Sequence, residues 1–167
     1  ELATAVDSAN VIREPDEDNN LAATGAGATF TVEGPFVDLA GKLYLNRAPS
    51  SVIAGHSPAF QVPVTLINEG NVPVASGVKV DIRLLLSPEA GGEDVELTTV
   101  FDQDVSAMTP GQAKPLFPEV SVPLSVPAGV YRMAVEIDPG NSANDADRSN
   151  NRLLGEGRTL EVRKPVV

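Results

Sequence analysis

A chain of 167 residues with a formal net charge of -11 suits one domain with an ordinary core, or one domain plus an appendage. That charge repels phosphate backbones and anionic membrane surfaces, which sets nucleic acid aside as a partner. The absence of cysteine excludes disulfides and thiolate metal sites, so stability must come from the core or from bound ions.

Fourteen prolines and fourteen glycines among many valines and leucines describe short strands joined by frequent turns, an all-β chain. No apolar run reaches the length of about 18 residues that crosses a bilayer as a helix, so membrane insertion is not expected. The first residues lack the basic, apolar and small-residue succession of a secretion signal, which places any such signal upstream.

Taken in chain order, residues 37–45 read as an early strand, followed by a loop over 50–58 that holds the only histidine, His56. Phe60, Val62, Val64 and Leu66 alternate with period two, as on a half-buried strand, and Asn68-Glu69-Gly70-Asn71 is a turn composition. The alternation of Val78, Val80, Ile82, Leu84 and Leu86, with Lys79, Asp81 and Arg83 opposite, predicts the strongest strand. Residues 87–92 break it, and residues 95–101 form a shorter strand.

Pro110-Gly111 marks a turn, and Val120, Val122, Leu124 and Val126 alternate again. Pro118, Pro123 and Pro127 assign that strand to an edge or a bulge. Residues 129–137 point Tyr131, Met133, Val135 and Ile137 inward, an acidic loop follows, and residues 158–162 supply the last strand. About seven strands at turn-bounded intervals predict an immunoglobulin-like β-sandwich.

The acidic loop is duplicated. Residues 7–20 recur without a gap at 138–151: Asp7, Asn10, Asp16, Asn19 and Asn20 match Asp138, Asn141, Asp147, Asn150 and Asn151, with Glu14 opposite Asp145. The spacing of 131 residues is close to the whole chain length, so the chain reads as one full unit, 36–167, preceded by the tail of another, 1–35. Residues 1–35 then resemble the final two strands of a preceding copy, or a strand-exchange arm, and a hairpin alone is marginal in water.

Asn68-Glu69-Gly70-Asn71 with Ala75 and Val78, Ala128-Gly129-Val130-Tyr131, and Ile137-Asp138-Pro139-Gly140-Asn141 with residues 147–151 together resemble the CARDB family, cell-adhesion-related immunoglobulin-like domains of bacteria. The resemblance implies a β-sandwich repeated in secreted or surface-anchored proteins, with adhesive or spacing roles and no enzymatic activity of its own. Asp147-Arg148-Ser149 departs from the family's acidic pair, which Asp16-Glu17-Asp18 keeps.

Two readings of the acidic loops stay open. Asp7, Asn10, Glu14, Asp16 and Asp18, and less completely Asp138, Asn141, Asp145 and Asp147, offer oxygens toward the roughly six to eight that calcium takes, without EF-hand spacing. Alternatively Asp138 and Asn141 close turns on nearby backbone amides, and Asn19, Asn20, Asn150 and Asn151 do so where the chain re-enters a strand.

His56 has no second histidine, cysteine or nucleophile elbow to complete a catalytic or zinc site and reads as a loop residue. Tyr131 is placed as a structural tyrosine corner. Glu93, Asp94, Glu96, Asp102 and Asp104 read as a solvated edge, not a glycosidase pair.

The chain is therefore expected to be a non-catalytic structural or adhesive module on the cell surface, its partners neighbouring repeats or identical subunits. Two alternatives are a filament subunit that adds residues 1–35 to another sheet, and an accessory module of a secreted hydrolase. The latter would contact polysaccharide through Tyr44, Phe101 and Phe117, and another surface protein stays open as a partner of the module.

Overall fold

The computed structural model describes residues 2–9, 11–16, 18–25 and 31–166. Their contacts divide the chain into two units, Glu1–Gly34 and Pro35–Val167.

In the first unit, β1 (Ala3–Ala5) and β2 (Leu21–Ala23) are antiparallel, with Ala3 opposite Ala23 and Ala5 opposite Leu21. The ladder is extended by Val6 N donating to Asn20 O and Thr24 N to Leu2 O, both at 2.9 Å. Residues 31–35, where the repeat spacing would set the last strand of a preceding copy, carry no strand, and residues 26–30 lie outside the described residues.

The second unit contains β3 (Leu39–Leu43), β4 (Ser51–Ile53), β5 (Phe60–Gln61), β6 (Val64–Asn68), β7 (Lys79–Pro88) and β8 (Val95–Asp104). It continues with β9 (Ala113–Leu116), β10 (Glu119–Val120), β11 (Gly129–Ile137), β12 (Arg152–Leu154) and β13 (Leu160–Arg163). The larger sheet runs β4, β13, β11, β7, β8, with β12 beside the C-terminal half of β11. A three-stranded sheet runs β3, β6, β9, and β5 pairs with β10. Every pairing is antiparallel except β4 with β13.

The all-β sandwich read from the sequence is the fold observed, and its strongest strand lies inside the larger sheet. β7 is paired along both edges, to β11 and to β8, so Val80, Ile82, Leu84 and Leu86 are buried on the face that period two assigns them. They pack with Leu39, Val64 and Leu66 of the smaller sheet and with Tyr131, Met133, Val135 and Ile137 of β11 in one cluster. Each such side chain taken fully out of water contributes about 1.5–3 kcal/mol.

The structure differs from the sequence reading where prolines and short edges decide. The run from Phe60 to Leu66 is two strands, because Pro63 has no N–H to donate. β5 pairs with β10 and β6 with β3 and β9. Of the residues 120–126, only Val120 lies in a strand. Val122 and Val126 are buried from irregular backbone, and Leu124 is exposed.

β4, β9 and β12 are absent from the sequence reading. They have three or four residues each and sit at edges, too short for alternation to register. The acidic loop leads into β12, not directly into the last strand; β13 pairs instead with the N-terminal end of β11.

Candidate functional site

The 138–151 loop leaves β11 at Asp138, which is fully buried with φ 45°, a left-handed conformation that aspartate tolerates better than most residues. Its Oδ1 accepts Ser142 N and its Oδ2 accepts Ala143 N, each at 2.8 Å, while its own N donates to Asp81 O of β7. One carboxylate thus closes the turn and ties it to the neighbouring strand.

The next caps follow in series. Asn141 Oδ1 accepts Asp145 N at 2.8 Å, Asp145 Oδ1 accepts Asp147 N at 3.0 Å, and Asp147 Oδ1 accepts Ser149 N at 2.9 Å. Asp145 Oδ2 reaches across the chain to Leu39 N at 2.9 Å and also takes Asn151 Nδ2 at 3.1 Å. Asn151 Nδ2 donates to Ile137 O as well, and Asn150 Nδ2 donates to Asp38 Oδ1 at 2.8 Å. The loop is therefore fastened to the start of β3 and to the ends of β7 and β11.

Burial raises the pKa of Asp145 above the ordinary carboxyl value, and the nearby charge of Asp38 adds to this, against the donors Leu39 N, Asn151 Nδ2 and Asp147 N. Asp147, exposed, is held below it by the hydroxyl and amide of Ser149. A carboxyl whose folded pKa is raised adds stability below its unfolded pKa and loses it as pH rises through the folded value. The penalty of Asp145→Asn is accordingly expected to be larger at about pH 3 than at about pH 7 when urea unfolding is compared at the two. An equal or larger penalty at the higher pH contradicts this.

The first copy repeats the geometry with a different surrounding. Asp7 has φ 44°, its Oδ1 accepts Val11 N at 2.9 Å and its Oδ2 accepts Ile12 N at 2.7 Å, while Asp16 Oδ1 accepts Asp18 N at 3.0 Å. Asn20 contributes its backbone carbonyl to the β1–β2 ladder, Asn19 and Asp18 are exposed, and Glu14 is half-buried. Asn10 lies outside the described residues.

Among the described residues, no group of three or more His, Cys, Asp or Glu side chains converges where an ion would sit. The carboxylate oxygens of Asp7, Asp138 and Asp145 face N–H donors instead. Chemically, this arrangement orders backbone.

The remaining candidates are placed as follows. The Tyr131 hydroxyl donates to Pro127 O at 3.0 Å, pinning the residues before β11 to the strand itself. His56 is exposed in the turn after β4, with Nδ1 3.2 Å from Ala54 O. Asp94 pairs with Arg152, and Glu96 lies beside Arg83 and accepts the Thr99 hydroxyl.

Phe101 lies on the larger sheet, whereas Tyr44 and Phe117 follow strands of the smaller one, so the three exposed aromatics share no platform. A cleft of about 260 Å³ beside Arg47, Ser51 and Phe60 holds one cation and no carboxylate. One buried polar residue escaped the sequence reading: Asn68, fully buried at the end of β6, which looked like the first residue of a turn.

These observations define a class, an immunoglobulin-like β-sandwich with a capped acidic loop at one end. The fold is CARDB-like. The CARDB domain of a Pyrococcus furiosus protein, solved in solution, matches with a TM-score of 0.50 at 17% identity over 78% of this chain and 98% of that one. The crystal structure of the same domain in complex with di-metal ions matches with a TM-score of 0.48 at 17% identity over 80% of this chain and 100% of that one.

Residues 272–376 of a Methanosarcina acetivorans protein described as a cell surface protein match with a TM-score of 0.45, 19% identity and coverage of 77% and 91%. No protein-family model matches the chain. No curated protein matches it with significance. Among the described residues, no helix is long and apolar enough to cross a membrane.

Proposed function

We propose that the chain is a non-catalytic structural module of an extracellular surface protein, a spacer whose stiffness is built in by side-chain caps. The observation that carries this is the use of the loop carboxylates: Asp138 and Asp145 spend their oxygens on main-chain N–H groups of the loop and of β3. Carboxylates committed in this way rigidify the end of a sandwich and are not poised for proton transfer or nucleophilic attack.

The cell-surface setting is supported by the CARDB-like fold. In this reading calcium is dispensable to the second copy, because both carboxylate oxygens of Asp138 and of Asp145 already have donors.

Pulling the chain from both ends by force spectroscopy tests the proposal. One cooperative rupture releasing roughly 45 nm of chain from the second unit is expected, at the same force in millimolar calcium and in chelator. Gradual extension without a rupture overturns the spacer, and a force that drops in chelator replaces the caps with an ion as the stiffening element.

A further inference from the structure

The two copies of the loop agree in more than sequence. At the constant separation of 131 residues, Ala3 opposite Ala23, Thr4 opposite Ala22 and Ala5 opposite Leu21 correspond to Ala134 opposite Leu154, Val135 opposite Leu153 and Glu136 opposite Arg152. The flanking bonds correspond as well: Val6 N to Asn20 O with Ile137 N to Asn151 O, and Thr24 N to Leu2 O with Gly155 N to Met133 O. Asp7 and Asp138 cap the amides four and five residues ahead, at φ 44° and 45°. In its ladder and in the cap that opens its loop, the β1–β2 hairpin is built like the β11–β12 hairpin.

What differs is what covers them. β11 is paired on its other edge with β7, from Ile137 opposite Ile82 to Tyr131 opposite Pro88. Met133 and Ile137 of β11 and Ala143 of the loop are buried, and their counterparts Leu2, Val6 and Ile12 are 57%, 64% and 64% exposed. In β1, residues 2, 4 and 6 bond toward β2, so the N–H groups of Ala3 and Ala5 point to the opposite edge, where Ala134 and Glu136 meet β7.

We infer that residues 2–24 form a docking surface for a preceding β-sandwich of this same type, which adds a strand equivalent to Lys79–Pro88 along the open edge of β1 and covers Leu2, Val6 and Ile12. The inference rests on the structural-module reading and names its partner. The occupant follows from the interface that β11 and β7 already make within this chain. One contact of the complete unit is lost, because Pro15 stands where Ala146 donates its N–H to Val37 O.

The test is amide exchange followed by NMR on the 167-residue chain and on the same chain with a second copy of residues 36–131 fused ahead of Glu1. In the fusion, the amides of Ala3 and Ala5 are expected to exchange about 100-fold more slowly than in the parent, and Val6→Asp is expected to abolish that protection. Unchanged exchange at Ala3 and Ala5 overturns the inference. So does a grafted copy that folds when followed by residues 132–166 but not when followed by residues 1–35.

Protection in the unfused chain that grows with protein concentration overturns it in favour of pairing between identical chains. In the full-length parent, Leu2→Asp with Val6→Asp is expected to leave the main melting transition within about 1 °C. A fall of several degrees overturns the inference by assigning the hairpin to this chain's own sandwich. None of these readouts depends on the pulling experiment, so failure of the docking surface and failure of the spacer reading are separable.

Discussion

Replacing Asn68 by alanine is expected to lower the free energy of unfolding by about 3–5 kcal/mol, read from urea titration of the main transition. The side chain is fully buried and satisfied: Nδ2 donates to Val72 O at 2.9 Å and to Met108 O at 2.8 Å, and Oδ1 accepts Gly70 N at 3.0 Å. It staples the loop after β6 to the loop before β9. Truncation leaves the buried Gly70 amide without its acceptor and takes a donor from the Val72 and Met108 carbonyls, of which Met108 O keeps Val74 N at 3.0 Å.

Asn68→Asp separates hydrogen bonding from size. A carboxylate keeps the volume but cannot donate to either carbonyl, so at neutral pH the loss is expected to equal or exceed that of alanine. Part of it returns near pH 3, where the acid form supplies one donor. A variant as stable as the parent at neutral pH would remove the staple from the account.

Asp138→Ala is expected to cost about 3 kcal/mol in the same assay. Two amides, the partly buried Ser142 N and the buried Ala143 N, lose a charged acceptor, and alanine is left at φ 45°. Asp138→Asn retains one acceptor and tolerates the left-handed backbone, so about half that loss is expected. Asp7→Ala removes the same local cap from the hairpin and is expected to leave the main transition in place. A comparable fall for Asp7→Ala would contradict the division of the chain into two units.

The strands legible in the sequence are those whose two faces meet different environments. In β7 and β11, alternate residues enter one core while most of their neighbours are polar or charged, Leu85 and Ala134 being the buried apolar pair on the other face, so period two is written into residue type. The edge strands β4 and β12 offer only three residues each, and a single alternation over that length is indistinguishable from a loop. The break at Pro63 was marked by the proline, yet which sheet each half joins depends on β9 and β10, some fifty residues later. The inward order predicted for residues 120–126 failed at Leu124 because only Val120 of that run joins a ladder; beyond it nothing imposes alternation.

The candidate site divides in the same way. The duplicated Asp and Asn positions were visible as letters, and the local caps of Asp7 and Asp138 follow from chemistry that reaches four or five residues ahead. The bond from Leu39 N to Asp145 Oδ2 spans 106 residues, and nothing near either residue announces it.

The sequence by itself determined the all-β class, the central alternating strands, the turns and the repetition of the acidic loop, because each of these depends on residues close together in the chain. Only the tertiary structure decided that the second loop is fastened to β3 and β7 while Leu2, Val6 and Ile12 of the first unit stand exposed. The two loops carry nearly the same local instructions. What separates them is the strand alongside, and strand pairing is a long-range interaction that local composition does not encode.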